Sequence, residues 1–304
     1  MRVWGIVWAL VAILFSFSEA MDLQKIARNI YVAKGTYGLP SKENRGFMSN
    51  SYGILTREGW IVIDALSTPE LAREFISELK KIKNVPVLYL IITHYHMDHY
   101  FGAKAYKEEG AKVIAHKNLK VFYEEGTAQM VLEGARKGFP GVFDDVEPVA
   151  PDMVIDSKVK LRVGRKVIEI IPMTPAHTNT DLVIRAEGYL FVGDLVSYKR
   201  IPFLGDRNVK TKRWLKVLDT IGKMKFKKLL GGHGDPMGRE ALKWTRDYIN
   251  FVRTEVARLK DEGLFVDEVK EKLKESPFKD SKMYDVFHLR NVYFVFNELD
   301  MELE

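Results

Sequence analysis

The sequence contains no cysteine. That absence excludes disulfide scaffolds, cysteine nucleophiles, iron–sulfur clusters and thiolate zinc sites. Its 304 residues are 46% apolar and 29% charged, the balance of an ordinary globular protein. This length accommodates one large domain or two small ones with a sizeable core. Any metal site must therefore use imidazole, carboxylate or other non-thiol ligands.

Long apolar runs are also nearly absent. One stands at residues 3–15, after Arg2, and the small residues Ser18 and Ala20 follow it. A positive start, a short apolar stretch and small residues form a secretory signal pattern, so cleavage is expected after Ala20. The run is shorter than the roughly 18 residues that a spanning helix needs. The sequence predicts export to the periplasm or extracellular space without membrane insertion; an uncleaved amino-terminal anchor is the alternative.

Negative charge is scarce in one stretch. The net charge is +6, but residues 199–228 hold eleven lysines and arginines against Asp206 and Asp219, a net of +9. One interpretation places these cations at the mouth of an active site, where they would attract an anionic substrate. The other is a solvated helix face with its loop. A nucleic-acid partner would also suit the charge, but the export signal opposes it, and we expect a small-molecule substrate.

The chain after residue 20 alternates strand and helix patterns. Strands are expected at 30–33, 51–56, 60–64, 87–93 and 112–115, and a second group at 153–156, 159–163, 167–171, 182–186, 189–192 and 228–230. Helices are expected at about 68–83, 101–109, 118–137, 214–221 and 239–262, with a helical remainder. Two strand groups, each followed by helices, favour an α/β sandwich over a doubly wound sheet.

Five of the seven histidines carry the chemistry. The run 94–99 reads His-Tyr-His-Met-Asp-His and directly follows the strand 87–93. If the chain stays extended, His94, His96 and Asp98 project the same way, and His99 reaches in from the first turn of a helix beginning near Tyr100. Four nitrogen and oxygen donors in six residues suit a borderline divalent ion such as zinc.

Three further signals stand at strand ends: His177, Asp194 and His233. Glycines at 193, 231, 232 and 234 permit the tight turns that loops carrying ligands require. Each signal is weak alone, but together with the 94–99 run they make two ligand sets. His116 and His288 are interpreted as packed or surface histidines, because both sets are already filled.

In these motifs the sequence resembles the metallo-β-lactamase superfamily over roughly residues 25–240. The resemblance implies an αββα four-layer sandwich at 21–240 with a helical extension at 241–304 packed on the same domain. It also implies a dinuclear site in which His94, His96 and His177 bind one metal, Asp98, His99 and His233 bind the second, and Asp194 bridges them. Within the superfamily, the residues around Asn50 and His177 and the export signal look most like quinoprotein-relay or SoxH-like hydrolases.

Such a site implies metal-assisted hydrolysis by an activated hydroxide. We expect the two divalent ions to be zinc; iron and manganese are the alternatives. Asp98 would orient the hydroxide, and the substrate would be a small ester, thioester, lactone or lactam. An aspartate at position 194 makes the metal ligands resemble the set found in glyoxalase II-like members of the superfamily. An iron oxidoreductase resembling persulfide dioxygenases and a nuclease-type phosphodiesterase are the alternatives.

Two features near this site have two interpretations each. Asp64, which matches the superfamily's early aspartate, is either an outer acceptor that fixes a histidine tautomer or a plain strand-end cap. The glycine-bearing segment 35–50, with Tyr37, Phe47 and Met48, is either a flap over the metals or an unemployed loop.

Overall fold

A computed structural model describes residues 21–302 of the chain. The predicted signal peptide, residues 1–20, lies outside the described residues, so export stays a prediction. Within 21–302 we find no helix whose length and apolarity would let it cross a membrane.

Two sheets form the centre of the fold. The first is mixed: its strands are hydrogen-bonded in chain order, antiparallel up to β4 and parallel from β4 onward. Its seven strands are β1 (Leu23–Ala27), β2 (Ile30–Ala33), β3 (Ser51–Leu55), β4 (Trp60–Ile63), β5 (Val87–Ile91), β6 (Lys112–His116) and β7 (Met153–Ile155).

The second sheet has the order β12-β11-β10-β9-β8, and only the β11–β12 pair is parallel. Its five strands are β8 (Val159–Val163), β9 (Lys166–Pro172), β10 (Leu182–Ala186), β11 (Tyr189–Gly193) and β12 (Leu229–Gly231). The facing sides of the two sheets share one apolar cluster in which residues such as Ile61, Ile91, Ile184 and Phe191 are at most 1% exposed.

Helices cover both outer faces. The described helices are α1 (Pro69–Ile82), α2 (Met97–Tyr100), α3 (Ala103–Glu108), α4 (Lys117–Glu124), α5 (Thr127–Gly138), α6 (Thr211–Lys223), α7 (Glu240–Asp261), α8 (Val266–Lys272) and α9 (Tyr284–Met301). Helices α1, α3, α4 and α5 bury apolar faces in a cluster with the first sheet, and α6 to α9 do so with the second. The predicted helix–sheet–sheet–helix sandwich with carboxy-terminal helices is confirmed.

Helix α1 shows how local sequence fixes such a layer. Thr68 caps its amino terminus, because the hydroxyl oxygen accepts from the backbone N–H of Leu71, and Pro69 stands where no N–H is needed. Leu71, Phe75 and Leu79 recur at helical spacing and are fully buried. The predicted helix at 68–83 is therefore present with nearly the expected bounds.

Three local predictions differ from the structure. The expected helix 118–137 is two helices, because Gly126 adopts a left-handed φ of 75° that no helix interior accepts. The helix expected over 101–109 begins at Ala103 and is preceded by the single turn α2. That turn starts at Met97, so Asp98 lies on helix rather than on extended chain and His99 reaches in from its third position. The edge strand β1 was not predicted.

Candidate metal centre

The ends of strands β4, β5, β11 and β12 meet at one edge of the sandwich. In the first sheet β4 and β5 run parallel, with Ile63 beside Ile91, so the chain leaves both strands at the same edge. In the second sheet Gly193 of β11 lies beside Gly231 of β12. The backbone N–H of Leu182 donates to the carbonyl of Thr93 at 2.8 Å, which joins the two sheets at this edge. The loops after these strands therefore open into one space.

All seven predicted ligands lie in that space. Three overlapping groups each keep one donor atom per residue within 4.8 Å of the others: His94 with His96 and His177, Asp98 with His99 and His233, and His94 with His99 and Asp194. Asp194 spans the last two groups, since its Oδ1 is 3.4 Å from His99 Nε2 and its Oδ2 is 3.2 Å from His233 Nε2. The structure thus brings together every residue that the sequence assigned to the two ligand sets.

Each imidazole has one nitrogen held from outside and the other turned toward the centre. The outer partners are the carbonyl of Phe203 for His177 (3.1 Å), the carbonyl of Met48 for His233 (2.9 Å), Asp206 for His96 (3.1 Å), Asp64 for His99 (2.8 Å) and the Thr93 hydroxyl for His94 (3.0 Å). Carbonyls and carboxylates only accept, and the Thr93 hydroxyl accepts because it donates its own proton to Asp64, so these contacts fix the tautomers. The free lone pairs converge on the centre, which is the arrangement that metal-binding histidines need.

The inner atoms fit a cation better than they fit one another. His94 Nε2, His99 Nε2 and Asp194 Oδ1 are buried without a hydrogen-bond partner among the described residues. His96 Nδ1 and His177 Nε2 lie 3.0 Å apart although both tautomers place a lone pair there. Buried polar atoms without partners are costly, and a divalent ion would satisfy several of them together. The donor set therefore fits divalent metal ions.

Charge among these side chains is balanced by proximity. Burial opposes ionisation of Asp194, but His233 and His99 hold its pKa well below the usual range. Burial likewise opposes the charged form of His99, yet with no cation bound Asp98, Asp64 and Asp194 raise its pKa to about 10, and a metal ion would replace the proton on its inner nitrogen. Burial and the neighbouring His96 lower the pKa of His177 to about 3, which leaves that ring neutral at physiological pH. The negative charge of the centre is therefore carried by the carboxylates of Asp98 and Asp194, whose pKa values are both lowered.

Asp64 performs both of the roles considered for it. Its Oδ1 accepts from the backbone N–H of Thr93 at 2.7 Å, as a strand-end cap would. Its Oδ2 accepts from His99 Nδ1 and from the Thr93 hydroxyl, which in turn contacts His94. One buried carboxylate therefore orients two imidazoles, one directly and one through a threonine.

A cavity of about 440 Å³ opens directly onto the centre. His96, Asp98, Asp194 and His233 form its inner end. The rest of its wall is mainly apolar and comes from distant segments: Leu39, Pro40, Met48, Met97, Phe122, Met130, Val131, Phe139, Phe203 and Phe287. The volume lies within the roughly 300–1,000 Å³ of small-molecule sites. The segment 35–50 thus supplies wall residues beside the centre, and the carbonyl of its Met48 orients His233.

Three arginines interrupt this apolar wall. Arg207 and Arg290 are exposed at the rim, whereas Arg200 is only 7% exposed and contacts the ring of Phe287. Arg200 Nε and Nη1 have no hydrogen-bond partner in the described part of the chain, and burial lowers the pKa of its guanidinium. Two members of the basic stretch, Arg200 and Arg207, therefore line the cavity; Lys210, Lys212 and Arg213 do not.

The two remaining histidines lie elsewhere. His116 ends β6, where its Nδ1 accepts from the backbone N–H of Asn118 at the start of α4. His288 stacks on Tyr284 with ring centroids 4.4 Å apart and contacts the carbonyl of Leu273 at 2.8 Å. Both rings are packed within the fold, and neither belongs to a metal-ligand group of the described residues.

Sequence reasoning missed several residues of this site. Asp206 counted only as an offset to the basic stretch, and Phe203, Phe287 and Arg290 were not considered. These residues reach the site from loops and from α9, and no local motif marks them. Only the isolated negative charge of Asp206 within a run of cations could have drawn attention to it.

Comparisons with known proteins agree on the fold. The family model described as "Metallo-beta-lactamase superfamily" matches residues 44–233. A linear primary-alkylsulfatase from Pseudomonas sp. (strain ATCC 19151) is 24% identical over an alignment of 264 residues; the match covers 72% of this chain and 49% of that protein. The chain thus spans about half the length of this curated relative. The prediction of a hydrolase with the metallo-β-lactamase fold agrees with the family match and with this relative.

Two solved structures share the architecture. A sec-alkylsulfatase from Pseudomonas sp. superposes with a TM-score of 0.72 at 19% identity and covers 91% of this chain and 50% of its own. A metallo-beta-lactamase from Pontibacter korlensis gives a TM-score of 0.61 at 19% identity and covers 75% of this chain and 98% of its own. At such identities the likeness concerns the fold alone.

Proposed function

The chain belongs to the metallo-beta-lactamase superfamily, and on that premise we propose that it is a metal-dependent hydrolase of esters that join an anionic group to an apolar one. One observation carries the proposal: the converging ligands open onto a cavity whose remaining wall is mainly apolar and carries three arginines, while its one further carboxylate, Asp206, is already engaged by His96 and Tyr95. A substrate with an anionic end at the metals and an apolar remainder matches both surfaces. This proposal makes more specific the anionic small-molecule substrate that the basic stretch 199–228 suggested.

The seven ligands would hold two divalent cations, with zinc as the expected metal because five imidazoles and two carboxylates suit it. Bound cations would supply a nucleophilic water at neutral pH and polarise the oxygen of the scissile bond. Asp98 lines the cavity and lies 3.4 Å from His233 Nε2, so its carboxylate is placed to orient the attacking water. Asp194 lies 3.9 Å from His177 Nε2 of the first ligand set and 3.2 Å from His233 Nε2 of the second, so its carboxylate would contribute to both ions.

Arg200 would hold the anionic end of the substrate. A buried guanidinium without a carboxylate partner is unfavourable, and an anion entering the cavity would supply the missing partner. Arg200 lines the same cavity as Asp98 and Asp194, so an anion that it binds would lie beside the metal centre. Phe203 and Phe287 would contact the apolar part just beyond it.

A sulfate ester of an alkyl alcohol meets these requirements most simply. It combines a single negative charge at the scissile end with an alkyl chain for the wall, and two of the similar proteins are named as alkylsulfatases. The sequence alone pointed to small esters, thioesters, lactones or lactams. The buried Arg200 favours an anionic ester among these classes.

The test begins with metal analysis of protein purified without added metal, for which about two ions per chain are expected. A panel then compares alkyl sulfates of increasing chain length with carboxyl esters, thioesters, lactones and β-lactams. We expect kcat/KM to rise with chain length for the sulfates, at roughly tenfold per two methylenes while the chain still finds apolar wall. Released inorganic sulfate shows that the sulfate ester is hydrolysed, and the appearance of 18O from labelled water in the alcohol or in the sulfate tells C–O from S–O cleavage.

The substitution R200M isolates the anionic end, because it keeps an apolar stem and removes the charge. We expect KM for alkyl sulfates to rise about 10–100-fold, with little change for uncharged esters. R207M at the exposed rim is the matched control and should change KM by less than about threefold. One iron per chain with oxygen consumption would replace the proposal by the redox alternative, and equal losses on charged and uncharged esters would remove Arg200 from anion binding.

A further inference from the structure

The loop 200–206 contacts two of the predicted metal ligands from outside. Asp206 Oδ2 accepts from His96 Nε2 at 3.1 Å, and the carbonyl of Phe203 accepts from His177 Nδ1 at 3.1 Å. These rings are the pair whose inner nitrogens lie 3.0 Å apart. The relative orientation of the two imidazoles therefore depends on a loop that itself carries no metal ligand.

Asp206 is the acidic member of this loop and is well supported. Its side chain is 9% exposed, and its Oδ1 accepts from the Tyr95 hydroxyl at 2.6 Å and from the backbone N–H of Asn208 at 2.7 Å. Tyr95 is itself fixed, because its ring stacks on Phe122 with centroids 4.4 Å apart. The Asp206 carboxylate is thus held in place by contacts that are independent of His96.

The carboxy-terminal helix α9 holds the loop in turn. Asn291 is fully buried; its Nδ2 donates to the carbonyl of Pro202 at 2.7 Å and its Oδ1 accepts from the backbone N–H of Leu204 at 2.8 Å. A bidentate amide contact of this kind fixes backbone on both sides of Phe203. Asn291 lies outside the stretch 44–233 that matches the family model.

We propose that Asp206 is a positioning residue for the metal site of His94, His96 and His177, and that Asn291 sets its place by clamping the loop 200–206. A carboxylate on Nε2 keeps the Nδ1 lone pair of His96 directed inward and raises the basicity of that ligand. The inference rests on the metal centre of the proposed function, but it concerns ion affinity rather than substrate.

The experiment titrates metal-free full-length protein with Co²⁺, following visible absorption, and with Zn²⁺ against a chromophoric chelator. In D206A we expect one of the two ions to bind about 10–100-fold more weakly, with a changed cobalt spectrum for that ion alone. D206N keeps an oxygen that can accept from His96, so it should recover much of the affinity. D219N is the matched control: Asp219 is the other aspartate of the basic stretch, pairs with Arg246 on the surface, and should leave both affinities unchanged.

N291L extends the test to the clamp, since leucine nearly preserves the volume and removes both hydrogen bonds to the loop, together with a third to the Tyr248 hydroxyl. It should weaken the same ion as D206A, by a smaller factor, while the second ion binds normally. Thermal unfolding of the metal-free variants separates positioning from folding: D206A should unfold within a few degrees of D219N. Two ions with unchanged affinities and spectra in D206A would overturn the inference while the hydrolase proposal stands. Absence of metal binding in the unsubstituted protein would overturn both.

Discussion

The two sheets deliver their ligands to the centre in different ways. The seven-stranded sheet contributes four from one short run, His94 to His99, and supports two of them with residues of its own strand ends, Thr93 and Asp64. The five-stranded sheet contributes His177, Asp194 and His233 singly, from three separate loops. The two histidines of this second set are oriented by carbonyls of distant loops, at Phe203 and Met48. One half of the site is therefore local in the chain, and the other exists only after folding.

The largest effect is expected from the local half. H96A removes a ligand that also faces the cavity, and D98A removes the carboxylate placed to orient water. Each should reduce turnover by more than about 1,000-fold, above the 10–100-fold that loss of an outer partner costs. Metal content should fall by about one ion per chain. Circular dichroism should remain unchanged, and turnover within tenfold of the parent would contradict the assigned roles.

In the half of the site that the five-stranded sheet supplies, a substitution at Gly232 should reduce activity by crowding the metal ligands. A Cβ added at Gly232 would lie 2.2 Å from Asp194 Oδ1 and 2.6 Å from His99 Cε1, so G232A must displace a ligand from each sheet. Misplacement of about 1 Å at a reacting centre costs roughly 100-fold in rate, and we expect that loss together with weaker Zn²⁺ binding.

The matched control for that glycine is G222A on α6. Its new methyl group would meet only Leu242 Cδ1 at 3.8 Å, an ordinary contact. Alanine favours helix over glycine by up to about 1 kcal/mol, so this variant should unfold at a slightly higher temperature with unchanged activity. Equal behaviour of G222A and G232A would show that the close approach of backbone to ligands is unimportant.

The smallest effect concerns a histidine at a strand end that is not a ligand. Burial, assisted by Lys117, lowers the pKa of His116 to about 4. A depressed histidine pKa stabilises the folded state above the unfolded value of about 6.5, and that contribution is lost as the pH falls toward 4. The free energy of unfolding should decline by about 1 kcal/mol across this window, less than the full shift implies because solvent partly screens the ring.

H116N isolates this contribution, since asparagine also caps helices and does not titrate. Chemical denaturation at pH 7.0 and 4.5 should show a smaller decline for H116N than for the parent protein. Parallel declines would place the acid sensitivity entirely in other groups.

How far the sequence predicts the molecule follows the same division. The run 94–99 identified four ligands because they are adjacent in the chain, and glycine-flanked strand ends indicated His177, Asp194 and His233. Asp206 and Asn291 left no such signal, because their partners lie 110 and about 90 residues away. The strand β1 escaped notice because it lies at a sheet edge with Gln24 and Lys25 exposed, which weakens its apolar pattern.

The wall of the cavity is built from parts that bind no metal. Leu39 comes from the segment before β3, Met130 from α5 and Phe287 from α9, each anchored in its own region of the fold. Exchanging one of these side chains alters which molecules are admitted while the bond-breaking groups keep their positions. Selectivity and reactivity are thus separable properties of this scaffold. A change of a few wall side chains would direct the same chemistry to a different substrate.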